Sequence, residues 1–570
     1  MTSGRYGRDM TRQVDARSDR YVEDYARLDP IAATFAGIPG QEGRLPDLSP
    51  DGFAATEELN RHALAELSAL PTADDREQVA KDAFCERIGL AVARAEAGIE
   101  RSEMSVISSS AHAIRDVFDV MPTETVDDWE AIGDRLTAVP AALSGYRVTL
   151  AEEAAAGRVA AKRQYAEVAA QIRAWTGQEG RAGDYFAGLV SVAPDGVRAR
   201  LETAAAQASA AYSELGRFVE SELGPRGRDR DGVGREHYAL ASRSFLGAEI
   251  DLEETYAWAW EELARIETDM VATAQRIVPG ASEESSIAEA VAALDADPAR
   301  DLGSREAFAE WMQGRADEII ASFDGVHFDI AEPIKRIACR VAPINDGGAW
   351  YIPPTEDFSR PGTMWFSFTD DHSVYSTWRE TTTVFHEGVP GHHLQCAQAV
   401  HRADLLNRWQ RLLCWVSGHG EGWALYAERL MDELGYFADP GDRLGFLDMQ
   451  GFRAARVIVD IGVHLGLEVP AGNPWRWRAG QVWDANLVYE FMRAHSRMDD
   501  GSLRFEVNRY LGWPGQAPSY KVGERIWLEA REEARQRLGD AFDLKAFHTA
   551  ALDLGSLGLD PLKSALARLG

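Results

Sequence analysis

The stretch His386–Leu394, H-E-G-V-P-G-H-H-L, constrains this chain more than any other. Pro390 has no amide hydrogen to donate to the carbonyl of His386, and its ring clashes there. Gly388 and Gly391 on either side tolerate unusual dihedrals. A helix that enters this stretch therefore ends or bulges within 388–391 and restarts beyond it. The same nine residues carry three of the 13 His in a 570-residue chain. In the helical pattern H-E-x-x-H, two His at i and i+4 share a face and bind zinc, and the Glu acts as general base toward water. Here the fifth position is Pro390, and the next imidazoles are His392 and His393.

On a regular helix, six residues rise about 9 Å and turn by about 600°, which leaves His392 on the far side. His393 returns to the starting face, but about 10.5 Å further along. Two imidazoles on one zinc need ring nitrogens about 2.0–2.1 Å from a common point. A straight helix meets that condition at neither position. The expectation is a helix broken before His392, which then reaches back toward His386 as the second ligand. His393 is the rival; if His392 is the ligand, His393 faces a carboxylate or the cleft wall.

A catalytic zinc takes three protein ligands. The segment Ser417–Glu428, S-G-H-G-E-G-W-A-L-Y-A-E, offers Glu421 on a second amphipathic helix as the natural third beside two His. Glu428, seven residues on, lies on the same face. It is either a carboxylate that holds a ligand His by its other ring nitrogen or an ordinary surface residue.

With both segments in view, the chain resembles the large bacterial family known as domain of unknown function 885, itself similar to zinc peptidases of the gluzincin type. The residues that carry the resemblance are H-E-G-V-P-G-H-H-L-Q at 386–395, E-G-W-A-L-Y-A-E at 421–428 and R-A-A-R-V-I-V-D-I-G-V-H at 453–464. P-G-Q-A-P-S-Y-K-V-G at 514–523 is the fourth. The segment around Glu421 is similar to the N-E-G-F-A that supplies the third ligand in zinc aminopeptidases. The resemblance implies a mostly helical metallohydrolase and leaves the substrate open.

Composition narrows the partners. The formal charge of −31 argues against nucleic-acid or anionic-membrane binding, which need basic patches. No run approaches 18 apolar residues, and the N-terminus lacks an apolar signal core. The four Cys (85, 339, 396 and 414) are scattered without metal or disulfide spacing, so the expected location is cytoplasmic. Cys396 is read as a buried free thiol.

Amphipathic segments over 8–30, 76–99, 126–155, 194–222 and 251–276 predict helices, and Asp29-Pro30 predicts a break. The polar loop Arg226–Arg235 is expected to project into solvent. After Gly325, alternating and aromatic runs predict a small antiparallel sheet beside the site helix. Thr363–Phe368 is the candidate edge strand for an extended substrate, and Asp370 or Asp371 the candidate cap of the following helix. Water attack on an amide generates an oxyanion that needs a donor. Tyr520, in a Pro- and Gly-shaped loop, is the first candidate; His464, four residues after Asp460, is the second. Arg453, Arg456, Arg493 and Lys521 are candidates to hold a substrate carboxylate.

The sequence thus predicts a mainly α, two-lobed, metallopeptidase-like fold, with a helical lobe over 1–325 and a catalytic lobe over 326–570. The expected function is zinc-dependent hydrolysis of short peptides, with zinc on His386, His392 and Glu421 and with Glu387 as general base. Two alternatives are a zinc amidase acting on a non-peptide acylated metabolite and a helical scaffold protein with a decayed site. The sequence carries no indication of oligomeric state.

Overall fold

The computed structural model describes residues 12–179, 183–342, 348–368 and 375–568. Helices dominate it. Those that position the site are α1 (Leu252–Ile277), α2 (Arg305–Phe323), α3 (Thr381–Glu387), α4 (His392–His401), α5 (Ser417–Glu433), α6 (Pro440–Leu465) and α7 (Ser519–Leu538). Side-chain oxygens start many of them by accepting the free amides of the first turn. Asp251 caps α1, Ser304 caps α2, and Asp439 caps α6, whose first residue is Pro440. Gly466, at φ +66°, ends α6. Asp29, at the expected break, caps a short helix, Pro30–Phe35. Asp370 and Asp371 lie outside the described residues, and α3 starts at Glu380 with no side-chain cap.

Two hydrophobic cores form. The smaller draws on residues between Ile31 and Leu223; the larger takes in residues 14–88 and 238–566. The chain from 252 to 323, N-terminal to the division expected at 325, packs in the same core as the segment that follows it. There α1 lies along α6, and α2 packs on the sheet. The loop 226–235 exposes Arg226, Asp229, Arg230 and Arg235 to solvent as expected, and is anchored where Arg228 donates to the Val159 carbonyl at 3.0 Å and Gly234 N–H to the His464 carbonyl at 2.9 Å. No described helix is long and apolar enough to cross a membrane.

The sheet has three strands, β1 (Ile337–Val341), β2 (Gly348–Ile352) and β3 (Gly362–Ser367), in the order β1-β3-β2. β1 runs parallel to β3, with Ile337 opposite Gly362; β2 runs antiparallel, with Trp350 opposite Trp365. The sheet is therefore mixed, not purely antiparallel. Residues 363–367 belong to the middle strand, so the expected edge strand has no free edge. Its apolar run is buried on both faces, as suits a central strand. β2 is the edge strand beside α3.

α5 and α7 approach through glycines. A Cβ on Gly422 would stand 2.5 Å from the Gly523 carbonyl carbon, and one on Gly523 2.2 Å from the Gly418 oxygen. Both obstacles are backbone, so the helices must separate to admit a methyl group. Gly523→Ala is expected to lower stability by about 1–3 kcal/mol. Gly472→Ala, where a Cβ meets nothing within 4 Å, is expected to leave stability nearly unchanged. Chemical denaturation midpoints of the two variants check this.

Candidate metal centre

The helix through His386 is broken between Glu387 and His392, where Pro390 and its flanking glycines require it. Gly388 N–H donates to Val384 at 2.9 Å, Gly391 N–H to Phe385 at 3.1 Å, and His393 N–H to Gly388 at 3.1 Å, so the turn keeps its backbone bonds. A Cβ on Gly391 would stand 1.9 Å from the His386 oxygen, which explains glycine there. The Pro390 carbonyl accepts Trp423 Nε1–H at 2.9 Å, which fastens the turn to α5.

This turn carries His392 back to His386. The two rings lie 4.9 Å apart at 88°, and both point a nitrogen at the same carboxylate oxygen on α5. His386 Nε2 is 3.3 Å and His392 Nε2 3.4 Å from Glu421 Oε2. Atoms about 2.0–2.1 Å from one ion at tetrahedral angles stand about 3.3–3.4 Å apart, so the spacing fits a common cation. All three groups offer an atom within 4.8 Å of the others. Burial alone would lower the His386 pKa, but its bonds to Glu421 and Glu428 hold it up at about 9. Burial likewise pushes Glu421 up, and the two His outweigh it and keep the carboxyl well below its usual range. Two imidazoles and one carboxylate are a donor set that can hold a divalent cation.

Around them, Glu428 is fully buried and accepts His386 Nδ1–H at 2.7 Å. Thr382, one turn before His386, donates to its other oxygen at 2.7 Å. The bond fixes the tautomer that leaves His386 Nε2 free for a ligand. Of the two sequence readings of Glu428, the surface residue is excluded. Thr382 was not foreseen, though its i, i+4 spacing from His386 is legible on a helix face.

The family is decided by the full length of the chain. It matches the family described as "Bacterial protein of unknown function (DUF885)" over residues 30–566. The chain belongs to that family. Two solved structures share the fold. One is "the putative lipoprotein from Colwellia psychrerythraea", 20% identical, with a TM-score of 0.81 over 97% of this chain and 98% of that one. The other is "a putative lipoprotein of unknown function from Shewanella oneidensis", 18% identical, with a TM-score of 0.76 over 97% and 100%. At these identities the likeness is one of fold. No curated protein matches.

In this DUF885 member the rival His393 is otherwise engaged. Its Nε2–H donates to the Ile334 carbonyl at 2.7 Å, and its Nδ1 accepts from the Tyr351 hydroxyl at 2.9 Å. It faces a backbone carbonyl and a phenol of β2, not a carboxylate, and burial lowers its pKa to about 4. Tyr351 is 42 residues away and has no local signal in the sequence.

Glu387 is buried, lines the cavity beside His386, and has no side-chain hydrogen bond among the described residues. Burial raises its pKa against the pull of the two His. Tyr520 stands in the first turn of α7, not in a loop. Burial, then Glu421, pushes its phenol up to about 12, and its hydroxyl has no partner among the described residues. His464 is placed elsewhere: buried on α6, it donates through Nε2 to the Tyr510 carbonyl at 2.9 Å and stacks on Tyr238. No contact among the described residues joins it to the His386 cluster. Its expected partner, Asp460, lies 3.9 Å away and instead accepts the Tyr238 hydroxyl and Gly515 N–H. The Cys396 thiol is half-buried and held protonated, its pKa raised to about 12 by burial and then by Glu421 and Glu387.

The two adjacent His are expected to separate on substitution. His392→Ala should abolish retained zinc, read by elemental analysis after dialysis. His393→Ala should keep the metal but lower stability by about 1–3 kcal/mol, because Tyr351 and Ile334 lose their buried partner.

Proposed function

We propose that this DUF885 member is a zinc-dependent hydrolase that cleaves amide bonds of short peptides. The convergence of His386 Nε2 and His392 Nε2 on Glu421 Oε2, at 3.3 and 3.4 Å, carries the reading. His386, His392 and Glu421 would hold the ion, with Glu428 and Thr382 orienting the first. Zinc bound there would supply Lewis acidity to the scissile carbonyl and lower the pKa of a water toward neutrality.

The remaining work falls to the protein. Glu387, buried and without a hydrogen-bond partner, takes the proton of the attacking water and passes it to the leaving amine. Its raised pKa brings it toward the range of a general base that works near neutral pH. Tyr520, protonated and close enough to sense Glu421, donates its free hydroxyl to the developing oxyanion. β2 offers an edge to an extended substrate, with Gly348 and Ala349 on the cavity wall. The gluzincin-like character of the site belongs to this proposal. So does a cytoplasmic location, based on four free cysteines. Cell fractionation tests that location; recovery in the envelope, in keeping with the neighbours' lipoprotein names, would replace it.

Purified without added metal, the protein is expected to carry one zinc per chain. Glu387→Gln should keep that zinc and lose hydrolysis of short peptides by about 10²–10⁴-fold. A chain that neither holds nor takes up zinc, or a Glu387→Gln variant with undiminished turnover, would sink the reading.

A further inference from the structure

The cavity beside α3 has a volume of about 340 Å³, within the lower range of small-ligand pockets. His386, Glu387, Arg379, Arg453, Ser496 and Arg497 stand on its wall. Arg379 lies 2.9 Å from Asp295, and Arg497 3.0 Å from Asp448. Of the other cations considered from the sequence, Arg456 reaches Glu506 at 2.9 Å. Lys521 lies 2.5 Å from Glu524, and exposed Arg493 donates to the Met498 carbonyl.

Arg453 differs from all of these. It is 9% exposed and forms no ion pair among the described residues. Its Nη1 donates at 3.3 Å to Met449 on its own helix, and its Nε is buried without a partner. The Ser496 hydroxyl, buried in the same wall, also lacks a partner. Neither Glu428 nor Glu387 lies within ion-pair distance of Arg453, although its charge is the strongest of the influences that lower the Glu428 pKa and also lowers that of Glu387. A buried guanidinium without an anion carries a desolvation penalty that a bound carboxylate offsets, and its fork matches that group bidentately.

We propose that Arg453, assisted by Ser496, binds the terminal carboxylate of a short peptide, so that the substrate is engaged from its C-terminal end. The cleavage direction rests on the hydrolase reading above; the carboxylate site does not. An anion on Arg453 occupies the same cavity as Glu387, which places the bond to be cut within a short reach of that terminus.

The test is isothermal titration of the Glu387→Gln protein with N-acetyl-Ala-Ala-Phe, its C-terminal amide, and N-acetyl-Ala-Glu amide, whose carboxylate is on the side chain. The free acid should bind about a hundredfold tighter than its amide. Adding Arg453→Gln should remove that preference. Arg453→Lys should keep part of it. Equal binding of acid and amide, or a preference that survives Arg453→Gln, would overturn the proposal. Equal binding of the side-chain acid would overturn the terminal assignment. The titration is repeated on metal-free protein, where a preference that vanishes would assign the carboxylate to the metal and not to Arg453. The acid–amide comparison needs no variant of Arg453, so a misfolded variant does not blunt it. Preference without hydrolysis by the unsubstituted protein would overturn the peptidase reading and keep the carboxylate site; hydrolysis without preference would do the reverse.

Discussion

The turn at Gly388–Gly391 is the constraint on which the site depends. Two imidazoles six residues apart on a continuous helix face opposite ways, and no side-chain rotamer spans that gap. Ending the helix at Glu387 and restarting it at His392 brings the second imidazole beside the first. The bonds of Gly391 to Phe385 and of His393 to Gly388 keep the turn from leaving these buried amides unpaired. Trp423 then joins the turn to α5 through the Pro390 carbonyl, so the helix that supplies Glu421 is registered against the helix ends that supply the two His.

That registration brings acidic groups together in a buried place. Glu387, Glu421 and Glu428 lie around two imidazoles, with Glu421 3.3 Å and Glu428 2.7 Å from the two ring nitrogens of His386. Such an arrangement calls for a cation, which is the physical content of the proposed zinc site. The glycines that let α5 and α7 touch bring Tyr520, in the first turn of α7, close enough to sense Glu421. Arg453 on α6 completes the cavity with a positive charge that forms no ion pair among the described residues. In the proposals above, the two imidazoles and their acids serve the cation and Arg453 serves the anion.

Local rules made much of this legible in the sequence. Ala- and Leu-rich periodicity placed the helices over 126–155 and 251–276 within a residue, because capping by Thr125 and Asp251 is written next to them. The break before His392 followed from the missing amide and the ring of Pro390, with Gly388 and Gly391 beside it. Helix pitch ruled out both later imidazoles on an unbroken helix; the place of His392 just after the break favoured it, with His393 kept as the rival. Glu421 was the natural third donor by the count of ligands that a catalytic zinc needs.

Other features depend on packing between segments far apart in sequence, and only the tertiary structure decided them. Strand order is one: an apolar run reads alike at the edge and in the centre of a sheet, and β3 became central because β1 and β2 flank it. The division of the cores is another, since α1 belongs with α6, almost two hundred residues later. Asp460 and His464 share an i, i+4 spacing that suggests a pair, yet Tyr238, Gly515 and Tyr510 engage them separately. Arg453 and Arg456 look equivalent in the sequence; Glu506 neutralises one and leaves the other facing the cavity. By itself the sequence determined the longer helices and the break and narrowed the candidate donors, which depend on near neighbours. The sheet order, the grip of Glu428 on His386 and the unpaired guanidinium were decided only where distant helices meet.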